Sequence, residues 1–189
     1  MTLMEMLRGH YNLWMEVSRI MTPEIKEKCV IFCPDDIKAI ALKNIGETEH
    51  IESNCYVCEY TQDCDNGCPI KWRVKDFCVR SEYGNFCYEI KKNNIEKAKE
   101  IAVIIANLPC KGTREIQFEI SCLERMMIVV VEEEKYDSAL KIIDEAYTRW
   151  CQVEENPELQ FECCEEYILS KLSENGVEYV DKSPETEDE

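Results

Sequence analysis

The chain has 189 residues, 45% hydrophobic and 32% charged, a core-forming composition that excludes wholesale disorder, and no apolar run reaches the ~20 residues that span a bilayer. Its net charge of −17 is uneven: residues 1–109 carry 14 basic and 17 acidic side chains, residues 110–189 carry 8 and 22. So acidic a second part repels phosphate and argues against a nucleic-acid reader, while suiting a basic protein surface.

Thr2 and Glu5 open the chain with a capping-box pattern. Leu3, Leu7, His10, Trp14, Val17 and Met21 follow at helical spacing, which predicts a helix over 3–20. This segment lacks the basic start, apolar core and small-residue cleavage site of a signal peptide, so a cytoplasmic location is expected. Thr22-Pro23-Glu24 starts a second short helix and Cys33-Pro34-Asp35 a third, closing near Gly46.

Residues 50–88 show no sustained period and are rich in turn formers. Apolar burial alone would not order such a segment, so it needs a staple. Five of the thirteen cysteines lie between residues 55 and 78: Cys55, Cys58, Cys64, Cys68 and Cys78. In a reducing compartment such spacing favours metal over disulfides. Cys55-x2-Cys58 is the tight pair that a tetrahedral ion takes from one turn, and Cys64-x3-Cys68 is a looser second pair. The expectation is a structural zinc site of Cys55, Cys58 and two of Cys64, Cys68 and Cys78. The alternatives are an iron–sulfur cluster, since proline follows Cys68, and reduced, unligated thiols. Four thiolates around Zn²⁺ carry a net −2, and Lys71, Arg73, Lys75 and Arg80 are the expected donors to them. Cys29 and Cys33, at i, i+4, offer half of a second site with His50 or Cys87 as a less favoured alternative. Cys110, Cys122 and Cys151 read as core, and of Cys163 and Cys164 at most one is buried.

Ile95, Ala98, Ile101, Ala102, Ile105 and Leu108 mark a strong helix stopped by Pro109 and Gly112. Beyond it, "REIQFEISC" alternates as a half-buried strand and "MMIVVV" reads as a strand covered on both sides. Asp137 caps a helix holding Leu140, Ile143, Tyr147 and Trp150. Asn156-Pro157 opens another, with Phe161, Cys164, Ile168 and Leu172 inward. "VEYV" is a last short strand, and the acidic tail over 183–189 is expected to be disordered.

The fold class expected is α+β. Residues 1–112 form a helical part with an inserted zinc-knuckle-like segment, and 113–182 a ββααβ-like acidic module. His10 and His50 are the only histidines, and His10 sits on an apolar face. No phosphate loop, zincin helix or serine elbow occurs, so no enzyme is expected.

Cys55, Cys58, Glu59, Tyr60, Cys68, Pro69 and Trp72, preceded by "HYNLWMEV" and followed by "KAKEIAVIIANLP", carry a resemblance. Over about residues 8–109 the chain resembles a group of uncharacterised Cys-rich small proteins of tailed phages and prophages. That group more often spaces its second pair as x2, which leaves the third ligand open. The resemblance implies a phage setting and a zinc site, and no reaction.

With the acidic half, it leads to the expectation of a non-enzymatic inhibitor of a host defence or nucleic-acid-processing complex, anti-CRISPR-like, acting by nucleic-acid mimicry. Glu132, Glu133, Glu134, Asp137, Asp144, Glu145, Glu154, Glu155, Glu162, Glu165 and Glu166 would stand in for phosphates against a basic host protein, with homo-oligomers compatible. The alternative is a zinc-dependent nucleic-acid or replication accessory factor using Lys71, Arg73, Lys75, Arg80, Lys91 and Lys92.

Overall fold

A computed structural model describes residues 1–29, 32–47, 51, 54–61, 68–73, 78–120, 125–152 and 163–183. The protein is α+β and divides into two compact units, 1–111 and 112–189. Among the described residues no helix is long and apolar enough to cross a membrane.

The first unit is helical. Helix α1 (Leu3–Ile20) begins at the expected capping box, with Thr2 and Glu5 bonded reciprocally. After it come α2 (Ile25–Lys28), α3 (Pro34–Asn44), α4 (Tyr56–Thr61), α5 (Glu82–Lys91) and α6 (Ile95–Ala106). Helix α1 packs on α3, α4 and α6, and α5 packs on α6. Met4, Leu7, Leu13, Trp14 and Val17 from α1 meet Ile37, Phe86, Ile90, Ile101 and Ile105 in the core. Trp14 sets its ring edgewise to Phe86 and Tyr83, at 5.2 and 5.9 Å between centroids, an arrangement favoured by the aromatic quadrupole. Glu16 is buried on α1 and accepts from Arg19 and from Asn44 at 2.6 Å, tying α1 to α3.

Helix α5 corrects the expectation of irregular chain up to residue 88. Tyr83, Phe86 and Ile90 do recur at helical spacing, but Gly84 and Asn85 interrupt them with weak helix formers. Burial of Phe86 and Ile90 in the unit's core overrides that weakness.

The second unit contains an antiparallel sheet in the order β1 (Thr113–Ile120), β2 (Arg125–Glu132), β3 (Tyr179–Asp181). Between β2 and β3 run α7 (Tyr136–Gln152) and α8 (Cys164–Glu174). Ile116, Ile120, Met127, Val129 and Val131 from the sheet form one core with Ala139, Ile143, Ala146, Tyr167, Ile168 and Leu172 from the helices. Phe118 and Tyr147 meet edge to face at 5.1 Å beside it. The start expected at Asn156-Pro157, with Phe161 inward, lies outside the described residues, as does Cys122. In α8, Cys163 stands at the N-cap and Cys164 is buried. Cys151 is a correction: it is exposed. It follows Trp150, which packs against the core, and one residue further along a helix turns away by about 100°.

Candidate metal centre

Asn54 begins the site. Its φ of 49° lies in the left-handed region, which asparagine tolerates better than most residues. The turn ends at Cys55, whose carbonyl accepts from the Glu59 amide at 3.1 Å and so opens α4. The Cys55 sulfur therefore faces the first amides of that helix. It accepts from the Cys58 thiol and from the backbone N–H groups of Cys58 and Val57. These donors, chiefly the Cys58 thiol, together with the charge of Lys38, bring the Cys55 thiol down to about 6 against the opposing effect of burial.

Tyr56 and Val57, inside the Cys-x2-Cys pair, point into the core. The Tyr56 ring lies against Gly9 of α1, where any β-carbon would collide with it. Gly9 thus gives α4 its close seat on α1.

The second sulfur strand is anchored differently. Ile70 and Cys110 form an isolated antiparallel bridge. Lys71 N–H donates to the Pro109 carbonyl and Lys111 N–H to the Pro69 carbonyl, both at 2.8 Å. Both Ile70 and Cys110 are buried. The bridge fixes the chain next to Cys68, and the indole N–H of Trp72 donates to the Cys68 sulfur at 3.2 Å. Cys78 follows on a short 3₁₀ turn, its carbonyl accepting from the Ser81 hydroxyl at 2.9 Å and the Ser81 amide at 3.2 Å. Glu82, buried at the start of α5, accepts from the Arg73 amide at 3.4 Å.

Cys55, Cys58 and Cys78 open onto one cavity of about 310 Å³. Its remaining wall is Val57, Asn54, Asp35, Lys38, His10, Trp14, Trp72 and Tyr83. Cys87 of α5 bonds the Tyr83 hydroxyl. Burial first, then the charges of Cys87 and Asp35, push the Tyr83 hydroxyl far up, so it stays a neutral donor. His10 is buried and donates to the Ile105 carbonyl at 3.1 Å. That bond matches a satisfied core histidine.

The donor set fits a soft metal in chemistry, as sulfurs held by N–H and S–H donors. Among the described residues, however, no three His, Cys, Asp or Glu side chains converge closely enough to hold an ion. Cys64 lies outside the described residues. Cys29 and Cys33 are half-buried, and His50, expected near them, is likewise outside.

The described residues among the nominated cations face solvent. Lys71 and Arg80 are exposed, and Arg73 is 67% exposed at 3.8 Å from Glu82. Lys75 lies outside the described residues. On α5, Lys92 stacks over Tyr88 at 4.3 Å and Lys91 is exposed. The sequence reading missed Lys38, Asp35 and Tyr83. Lys38 left a signal, because it shares the i, i+3, i+4 stripe of α3 with Ala41 and Leu42.

Of the acidic set, Glu133, Glu134, Asp137, Asp144, Glu145 and Glu166 are exposed, and Glu132 and Glu165 are half-buried. Glu132, Glu133 and Glu134 line a shallow depression with Gly112. Glu145 pairs with Lys141 at 3.6 Å and Glu165 with Arg125 at 3.8 Å. Glu154, Glu155 and Glu162 lie outside the described residues. No family model, curated protein or solved structure matches the chain.

Proposed function

We propose that the chain is a non-enzymatic zinc-binding accessory protein that acts by protein–protein contact. In this reading the first unit carries a zinc-knuckle-like centre and the second is a ββααβ-like acidic module. The observation that carries the metal reading is the Cys55–Cys58 pair, opening with Cys78 onto one cavity while Trp72 donates to Cys68. Cys55 and Cys58 are the first two ligands; two of Cys64, Cys68 and Cys78 complete the set. Bound zinc would supply no chemistry beyond cross-linking, since four sulfurs leave no site for water.

The partner reading draws on the exposed Glu133, Glu134 and Asp137. They suit a basic host protein, such as the nucleic-acid channel of a defence complex, which an anti-CRISPR-like inhibitor of phage origin would occupy as a nucleic-acid mimic. Of the basic residues that reading would use, Arg73 lies by Glu82 and Lys92 over Tyr88, which weighs against a nucleic-acid accessory factor.

Elemental analysis after anaerobic purification tests the metal. About one zinc per chain is expected. Iron with sulfide would replace zinc by a cluster, and a folded, metal-free chain would remove the centre. Capture of a basic protein complex from nuclease-treated host lysate, released by salt, tests the partner. Capture that depends on intact nucleic acid would reverse the polarity of the molecule.

A further inference from the structure

The centre just proposed carries a net −2 charge, and Lys71, Arg73 and Arg80, beside its cysteines in sequence, are exposed to solvent. A different cation reaches it. Lys38, one turn into α3, is 4% exposed and lines the cavity that holds Cys55, Cys58 and Cys78. Its ammonium lies 3.1 Å from Asp35 and 5.0 Å from the centre of the Tyr83 ring. A buried ammonium requires negative partners. Asp35 is 70% exposed and screened by water. The same cavity wall carries the half-buried sulfurs of Cys55, from the turn before α4, Cys58 and Cys78, and the charge of Lys38 also acts on Cys55 and on the half-buried Cys87 of α5. In such a setting a single charge acts far more strongly than on the surface.

The geometry points to Lys38 as the buried counter-charge of the thiolate centre, a positioning residue that sets how tightly the centre holds its metal. This inference rests on the reading of Cys55 and Cys58 as ligands. Lys38 gives no bond to the ion. It lowers the energy of a net negative thiolate set, and its stacking on Tyr83 holds it toward the sulfurs. Asp35 opposes it by drawing part of that charge toward water.

The test is cobalt(II) and zinc binding to the full chain under anaerobic conditions. Affinity is read by competition with a chromophoric chelator, and ligation by the thiolate-to-cobalt charge-transfer band. Lys38→Met keeps most of the buried stem and removes the charge. It is expected to weaken cobalt and zinc by about tenfold or more, the usual cost of losing a supporting group, and to shift the charge-transfer band. Lys38→Arg should restore most of the affinity. Asp35→Asn, at an exposed position, should tighten binding by about threefold and remains informative if Lys38→Met fails to fold. Unchanged affinity in Lys38→Met, or no recovery in Lys38→Arg, overturns the role of Lys38 and leaves the centre standing. Weaker binding in Asp35→Asn also overturns it, because that carboxylate would then be a ligand. A wild-type chain that takes up neither metal overturns the centre and this inference together.

Discussion

The two units are ordered by different physics. In the second, strands and helices bury one continuous apolar core, from Ile116 and Val129 to Ile143 and Leu172. In the first, α1, α3, α5 and α6 make a comparable apolar core, and among the described residues the cysteine segment is tied down at separate anchor points, such as Tyr56 on Gly9, Ile70 on Cys110, and the Arg73 amide on Glu82. Hydrophobic burial can specify a fold where the chain is periodic. Where it is not, directional bonds must do so, and in the proposed reading these are thiolate–metal bonds.

The comparison breaks most decisively at the sulfurs. Cys55→Ser with Cys58→Ser should abolish bound zinc. Hydrogen exchange should show α4 and residues 68–73 losing protection while residues 125–131 keep theirs. Equal loss in both units would mean that they are not separately stabilised. Next in size, Ile143→Ala opens a cavity in the second core and should cost about 2–5 kcal/mol, read by chemical denaturation, with zinc content unchanged. Gly9→Ala drives a methyl group into the Tyr56 ring. It should cost about 1–3 kcal/mol and weaken metal binding as well, since α4 must shift.

Glu16→Gln is smaller. Arg19 and Asn44 hold the Glu16 carboxyl below its usual value, Arg19 foremost. A carboxyl lowered on folding stabilises above its unfolded value and loses that contribution as pH falls through its folded value. Glu16→Gln should therefore cost about 1 kcal/mol at neutral pH, and the gap should close in acid. Smallest for stability is reversal of Glu133, Glu134 and Asp137 to lysine, within about 0.5 kcal/mol. The same variant should abolish salt-sensitive capture of a basic partner.

Periodic segments were legible from sequence. The Thr2 capping box and α1, the Ile95–Ala106 helix, and the two long strands occur where their patterns placed them. The misses share a cause: a contact distant in sequence decided the outcome. Helix α5 was hidden by Gly84 and Asn85 and is held by its packing on α6. Lys38 went unread because its partners, Tyr83 and the cysteines that share its cavity, come from distant segments. Cys151 sits beside a packing tryptophan, yet one residue of helical rotation carries it into water. The Cys55–Cys58 pair was visible as a motif. Its seat on Gly9 was not, because a glycine in a helix announces no partner.

The Ile70–Cys110 bridge has a consequence for the order of events during folding. Each flanking hydrogen-bonded pair makes one bond of the usual two, because Pro69 and Pro109 have no N–H to return. The ladder is thus barred from growing, and it works as a clasp of fixed length. Closing the loop between residues 70 and 110 from an open chain would cost about 3 kcal/mol in chain entropy, more than two hydrogen bonds recover. Docking of α5 on α6 within that loop shortens the span first. The clasp then forms late, and it anchors the segment holding Cys68 in a chain whose helices have already packed. Metal capture by Cys68 would act as a checkpoint: a nascent or damaged chain offers the Cys55–Cys58 pair alone, binds weakly, and surrenders its metal to any competitor.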